Sequence, residues 1–340
     1  MKKLLIIGVN GFIGNALAEA VLQKTDWEIY GMDLSANKLD DIIQHRRFHF
    51  FEGDMTIHQE WVQYHIKKCD IILPLAAIAT PATYVQDPLR IFALDFEANL
   101  ALIKYAVAYK KRIIFPSTSE VYGMCEDNAF DEKTSNFVVG PIHKQRWIYS
   151  CSKQLLDRVI YAYGVHENLD YTIFRPFNFY GPKLDDLNKE NSRVLTQFIS
   201  DVLNGRDIKL VDGGAQRRCF CYLDDSIDAL IRIIDNKDNK ASRQIINIGN
   251  PYPEAEASIR ELAQELLAAI KELPQYAHLA QKTTIVNATA EQYYGTGGYQ
   301  DMEARRPSIE QAEALLDWKP KITLREGLRK TLKYYLPEKN

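Results

Sequence analysis

Tyr149 and Lys153 stand four residues apart in "YSCSK", at the start of a stretch with helical periodicity, so both project from one face of a helix. A tyrosine ordinarily ionises near pH ~10 and is a poor base at neutral pH. A lysine cation one turn away should lower that pKa, and the resulting phenolate can take a proton from an alcohol. Tyrosine and lysine meet at this spacing in many helices, so the meaning of the pair depends on what surrounds it. Upstream, "PSTSEVYGM" closes an apolar run with Ser117, Thr118, Ser119 and Glu120 in succession. A turn alone needs no such concentration of hydroxyls beside a carboxylate. Thr118 is placed to share the same alcohol by hydrogen bond.

A second pattern gives this chemistry its oxidant. "GVNGFIG" sets Gly8, Gly11 and Gly14 after an apolar strand and before an amphipathic helix, with Phe12 and Ile13 in the helix's first turn. Glycines there serve a tight turn, a close backbone approach to a pyrophosphate and a helix packed tightly on its strand. Asp33 ends the next strand, 19 residues after Gly14 in sequence, where an acidic residue accepts hydrogen bonds from an adenosine ribose. It would repel a 2′-phosphate, and no arginine follows closely, so NAD is expected rather than NADP. Asp54, in "EGDM" after the third strand, is either an adenine cap or a plain turn aspartate.

The elements that must position these groups follow from hydrophobic periodicity. "KLLIIG", "EIYGMD", "FHFFEGD", "DIILPLA", "RIIFPST", "DYTIFRP" and "QIINIG" are short apolar runs of the buried-strand type. Helical patterns such as "GNALAEAVLQK", "ANLALIKYAVAYK" and a segment from about 150 to 164 alternate with them. Such alternation implies an α/β fold, a doubly wound parallel sheet of the Rossmann type. The expected division is a dinucleotide domain over 1–178, completed by about 225–250. A smaller, discontinuous lobe over 179–224 and 251–340 should cover the strand ends, where α/β ligands bind. Within it, "SIRELAQELLAAIKEL" should be a helix capped by Ser258.

Composition sets the limits. The chain has 340 residues, a formal net charge of −3 and a pI near 6.2, so nothing recommends nucleic acid or an anionic membrane as a partner. No apolar run approaches a membrane span, and the N-terminal run breaks at Gly8, Asn10 and Gly11 without a signal-peptide cleavage pattern. Five cysteines without a CxxC pair suit reduced thiols and a cytoplasmic setting. Cys219-x-Cys221 has no partner cluster, so no metal is expected.

Together "GVNGFIG", "STSEVYG", YxxxK and "RPFNFYGP" stand in the order of the extended short-chain dehydrogenase/reductases that modify nucleotide sugars, and the chain resembles that family along its whole length. More narrowly, "PLAAIATP", "FPSTSEVYGMC", "RWIYSCSKQLLDRVI" and "GYQDMEARRPS" resemble the UDP-glucuronic acid decarboxylases. These include the decarboxylase half of the bifunctional polymyxin-resistance enzyme. The resemblance implies NAD, a UDP-glucuronate substrate and oxidation at C4. Carbon dioxide is then lost to give a UDP-4-keto-pentose, which some relatives reduce to UDP-xylose. It adds Ala76 and Pro176 to the cofactor set and assigns Asn178, Arg193, Arg218 and Tyr299 to the substrate. Sugar dehydratases of this fold carry an aspartate where this chain has Ser119, and that aspartate protonates a leaving hydroxyl. A serine is too weak an acid for that task, but decarboxylation needs no such acid. Ser119 and Glu120 would then orient the carboxylate. Arg305 matches the proposed general acid, and either it or Arg306 could be the inward arginine.

Dimers are common in the family, which implies a homodimer. The first strand begins almost at Met1, so the chain is expected either to act alone or to work with a separate transferase. Three rivals remain. A UDP-apiose/xylose synthase typically carries cysteine at the Ser119 position. A C4 epimerase is disfavoured by "TSE" and the arginine-bearing loop. An NAD-sensing regulator would usually have lost the Tyr149–Lys153 pair.

Overall fold

Seven strands with hydrophobic runs on both faces assemble into one parallel sheet in the computed structural model, which describes residues 1–188, 192–295 and 298–337. In chain order the strands are β1 (Lys3–Ile7), β2 (Glu28–Asp33), β3 (Phe48–Glu52), β4 (Ile71–Pro74), β5 (Arg112–Pro116), β6 (Tyr171–Pro176), β7 (Phe179–Tyr180), β8 (Ile208–Val211), β9 (Arg217–Cys219), β10 (Cys221–Tyr222), β11 (Gln244–Ile248), β12 (Glu256–Ser258), β13 (Ile285–Ala288) and β14 (Ala304–Arg305). The main sheet runs β11-β6-β5-β4-β1-β2-β3, all pairs parallel. All seven expected strands are present. The order reverses at β1, and a crevice opens beside the carboxyl ends of β1 and β4.

The period of two along each strand divides the core. Leu4 and Ile6 face one layer of helices, while Leu5 and Ile7 face the other. The first layer includes the helices Phe12–Lys24 and Leu223–Asp235, and the second includes Asn99–Ala108 and Trp147–His166. Each aliphatic side chain so enclosed contributes roughly 1.5–3 kcal/mol. The expected helix near 150–164 is longer, Trp147–His166, and so includes Tyr149 in its first turn. One feature that periodicity did not indicate precedes Asn99–Ala108: residues Phe92–Ala98 form a π-helix that turns Asp95 wholly inward.

Outside the main sheet, three small sheets order the remaining segments: β10-β7, β13-β8 and β12-β9-β14. Ser258 caps the helix Ile259–Lys271 in a capping box with Glu261, as its sequence implies. The irregular stretch expected over "GPKLDDLNKENSRVL" is described except at 189–191, and it leads into the helix Val194–Leu203. Among the described residues no helix is long and apolar enough to cross a membrane.

Candidate active site

A cleft of about 570 Å³ lies over the carboxyl ends of the main sheet, and it is lined by residues from both the glycine turn and the small sheets. That volume suits a small-molecule ligand. Seven cations (Lys38, Arg146, Lys153, Arg193, Lys209, Arg218, Arg305) and three carboxylates (Glu120, Asp185, Asp301) face it, in a chain whose net charge is −3. Positive charge is therefore gathered where an anionic ligand would sit.

The glycine turn fits a dinucleotide. Gly8 has φ +88°, and a Cβ there would fall 2.5 Å from the Ala76 nitrogen. A Cβ on Gly14 would lie 2.4 Å from the Gly8 carbonyl oxygen, so the helix can pack this closely only as glycine. Gly11 precedes the helix without a side-chain cap, and the first turn holds no acidic residue, leaving its N–H groups for an anion. Gly8, Gly11, Phe12, Ile13, Gly14 and Pro176 all line the cleft. Ala76 instead lies behind Gly8 as a backbone neighbour.

Asp33 is part of the turn's construction. Its Oδ2 accepts from the Asn10 backbone N–H at 2.8 Å and its Oδ1 from Leu34 N–H at 2.8 Å. It therefore braces the glycine loop, and only its remaining lone pairs face outward. Asp54, like Asp33, is not among the residues that line the cleft. Its Oδ1 accepts from the Thr56 backbone at 2.7 Å and hydroxyl at 2.6 Å, which makes it a turn aspartate away from the cleft wall.

Each residue after β5 has a separate task. Ser117 donates to Asp157 Oδ2 at 2.8 Å, and Asp157 pairs with Arg175 at 3.0 Å, anchoring the strand end in a buried network. Thr118 lines the cleft with Tyr149 and accepts from Glu120 N–H at 3.2 Å. Ser119 accepts from Arg305 Nη1 at 3.3 Å. Glu120 lies 3.0 Å from Arg146 and 3.6 Å from Arg305, one carboxylate oxygen to each.

Tyr149 and Lys153 both line the cleft and are buried. Lys153 Nζ sits 5.9 Å from the Tyr149 ring centre, donates to the Pro116 carbonyl at 3.1 Å and lies 3.6 Å from Asp95. Burial, and then the negative charges of Asp95 and Glu120, push the Tyr149 phenol well above its ordinary pKa. The lowering expected from Lys153 beside a bound NAD ring has to overcome that rise. Asp95 was missed because nothing in sequence marks a π-helix. It accepts from Ile78 N–H at 3.1 Å and so ties the loop after β4 to the lysine.

Strand register settles which arginine points inward. β14 pairs with β9 in parallel, with Arg305 opposite Arg218 and Ala304 opposite Arg217. Side chains alternate along each strand. Arg305 and Arg218 therefore turn into the cleft, while Arg217 and Arg306 meet Glu256 on the other face. Arg305 also donates to Asn178 Oδ1 at 3.3 Å. Asn178 has φ +43°, a left-handed conformation that asparagine tolerates, and its amide donates to the Cys219 carbonyl at 2.9 Å. Burial and the neighbouring charges of Arg218 and Arg146 lower the Arg305 pKa to about 10.

The other expected substrate residues are also on the cleft wall. Arg193 caps the helix Val194–Leu203 with its guanidinium 2.9 Å from Asp185. Arg218 is held by Asp301 at 2.7 Å and by the Met302 carbonyl at 3.0 Å. Tyr299 stacks on Tyr294 at 4.1 Å between ring centres. Sequence reasoning missed Arg146, Asp301 and Tyr84. Arg146 lies one turn before Tyr149, a spacing that could have revealed it. Tyr84 stacks on Tyr149 at 4.6 Å and had no signal beyond its place in "ATYVQ".

These features have counterparts among known proteins. The chain superimposes on the crystal structure of the PbgP3 protein from Burkholderia pseudomallei with a TM-score of 0.90. The two are 50% identical, with 98% of this chain and 96% of that one covered. The fold is shared with dTDP-glucose 4,6-dehydratase from Bacillus anthracis in complex with NAD, at a TM-score of 0.79 and 20% identity over 98% and 96% of the two chains. It is likewise shared with UDP-glucuronic acid 4-epimerase from Bacillus cereus in complex with UDP-glucuronic acid and NAD, at 0.81 and 21% over 98% of each. A family model matches residues 4–249, beginning in β1 and ending just after β11, and the chain belongs to the NAD dependent epimerase/dehydratase family.

Proposed function

We propose that this enzyme oxidises UDP-glucuronic acid at C4 and releases C6 as carbon dioxide, leaving a UDP-4-keto-pentose. The observation that carries the reading is the contact of Arg305 with Ser119 and Asn178, both at 3.3 Å, and with Glu120 at 3.6 Å, in the cleft that Tyr149 and Thr118 also line. An arginine from near the end of the chain is thereby brought to the point where a sugar C6 substituent would lie once C4 faces Tyr149. No acidic side chain stands at position 119 to expel a hydroxyl.

NAD held on the glycine turn supplies the acceptor for the C4 hydride and a positive ring that favours the phenolate form of a neighbouring tyrosine. Tyr149 Oη takes the proton of the C4 hydroxyl, and Thr118 fixes that hydroxyl by hydrogen bond. Lys153, 3.6 Å from Asp95, holds the Pro116 carbonyl, keeping the end of β5 in place. Once C4 is a ketone, the C6 carboxylate belongs to a β-keto acid and loses carbon dioxide to an enolate. Arg305 orients the carboxylate through its planar fork and stabilises the enolate oxygen's charge. Its lowered pKa makes proton delivery to C5, through a water, easier than from an ordinary arginine. Arg193, Arg218 and Asn178 hold the diphosphate side of the nucleotide.

The test is incubation with UDP-glucuronate and NAD, following carbon dioxide and resolving the nucleotide product by NMR. Turnover of UDP-glucose or UDP-galactose in place of UDP-glucuronate would refute the assignment. The same spectrum distinguishes the 4-keto-pentose from UDP-xylose.

A further inference from the structure

β14 is only two residues long. Its pairing with β9 sets the face from which Arg305 points, but not how far the guanidinium stands from the turn after β5. The contact of Arg305 with Ser119 joins residues 186 apart in sequence. Just beyond Arg305 the chain is gripped again. Phe130 N–H donates to the Arg306 carbonyl at 2.8 Å, and Ser308 N–H donates to the Phe130 carbonyl at 2.9 Å. Asn247, wholly buried in β11, holds this junction. Its amide nitrogen donates to the Phe130 carbonyl at 2.8 Å and to the Ser308 carbonyl at 3.3 Å, while its Oδ1 accepts from the Tyr122 hydroxyl at 2.9 Å. Both amide N–H groups and the carbonyl are therefore engaged. Tyr122 ends the short 3-10 turn that carries Ser119 and Glu120. The phenol is fixed in its place by Arg175, which stands opposite Asn247 in the β6–β11 register and donates to Tyr122 Oη at 2.8 Å. Arg175 also donates to Asp157, which takes the Ser117 hydroxyl. One guanidinium thereby anchors Thr118, Ser119 and Glu120 at both flanks. Arg175, Tyr122 and Asn247 lie behind the cleft wall rather than on it.

We propose that Tyr122 and Asn247 are positioning residues whose hydrogen bond sets the gap between Arg305 and the Ser119–Glu120 turn, and that they act on the reaction through Arg305. The proposal rests on the UDP-glucuronate reading above, in which Arg305 grips the C6 carboxylate, and adds to it what holds the arginine at that reach. Without the Tyr122 hydroxyl, the Ser117 end of the turn stays anchored on Asp157. The Glu120 end loses its tie to the segment that follows Arg305. A buried amide oxygen deprived of its donor is costly to leave unpaired, so the Asn247 junction shifts toward another partner. The two-pronged grip of a guanidinium on a carboxylate depends on distance and angle, and it is weakened by such a shift.

The experiment is a double-variant cycle read as kcat/KM for carbon dioxide release from UDP-glucuronate at saturating NAD. Tyr122→Phe keeps the ring and removes the hydroxyl. Alone it should lose roughly 10- to 100-fold, the size of effect that a displacement of about 1 Å at a reacting group produces. In an Arg305→Ala background it should cost less than about threefold more, because the group it acts through is already gone. A purely structural role would cost the same factor in both backgrounds. NADH affinity, titrated in parallel, should be unchanged in each variant. Asn247→Asp keeps the shape but has no N–H groups for the Phe130 and Ser308 carbonyls, so it releases the junction from its other side. It should show the same dependence on Arg305, and it keeps the question answerable if Tyr122→Phe fails to fold. Losses that multiply in the double variant, or a Tyr122→Phe rate within about threefold of wild type, would overturn this inference and leave decarboxylation by the wild type standing. Wild type that releases no carbon dioxide from UDP-glucuronate would overturn the functional reading, and this inference with it.

Discussion

Replacing Arg305 and Arg306 one at a time separates the two faces of β14. Arg305→Ala removes hydrogen bonds to Ser119 and Asn178 and the ion pair with Glu120. If the guanidinium grips the substrate carboxylate by two charged hydrogen bonds, each is worth about 1.5–3 kcal/mol. Their joint loss is then about 3–6 kcal/mol, or roughly 10²–10⁴ in kcat/KM at 1.36 kcal/mol per tenfold. Stability should change little, because burial and two neighbouring arginines already disfavour the charged Arg305, as its pKa near 10 records. NADH affinity should be unaffected, since the glycine turn is not touched. Arg306→Ala removes an exposed pair with Glu256, which retains Arg217 at 3.1 Å. Exposed pairs contribute about 0–1 kcal/mol, so activity should stay within a few-fold. The assay is steady-state carbon dioxide release, paired with thermal melting and NADH titration. Equal losses in both variants, or an Arg305→Ala rate within threefold of wild type, would refute the register argument and the role built on it.

Tyr149→Phe should lower oxidation of the sugar by about 10²-fold or more while leaving nucleotide binding intact, and single-turnover NADH absorbance checks it. Ser119→Asp should place a carboxylate against Arg305 and cut UDP-glucuronate turnover far more than Ser119→Ala; equal effects would remove charge from the explanation. For Asp301, burial pushes the carboxyl pKa up, but Arg218, Arg146 and Arg305 together pull it below its ordinary value. A depressed folded pKa means that its stabilisation is present above the unfolded value near pH ~4 and is lost as pH falls through the folded one. Melting temperature should therefore drop on acidification below about pH 4, and Asp301→Asn should be less stable at neutral pH with a shallower acid decline. Identical acid slopes would count against the linkage.

What could be read in advance follows from how much periodic sequence each feature owns. The main sheet was legible because its strands are apolar runs, most of them buried and separated by helical patterns, and the glycine turn because three glycines sit at the spacing the turn needs. In the small sheets, β7, β10 and β14 were not, since they are two residues each and carry no period. The inward choice between Arg305 and Arg306 depends on pairing β14 with β9, a contact between segments far apart in sequence. Lys153 lies on the cleft wall, and the partner it has there was not legible. Asp95 is brought to it by a π-helix that ordinary helical spacing would misplace.

The cleft also explains why bulk charge was a poor guide to ligand. A slightly acidic chain gathers seven cations around one cleft, and several of them are paired: Arg193 with Asp185, Arg218 with Asp301, Lys153 with Asp95. Pairing keeps the buried charges tolerable. Near Ser119 the balance is incomplete, because Glu120 is shared between two arginines. A carboxylate built in at position 119 would complete it from within and leave nothing for a substrate to neutralise. On the proposed reading, the serine leaves that last charge to a substrate carboxylate, so the residue that withholds an acid from dehydration would also preserve affinity for an acidic sugar.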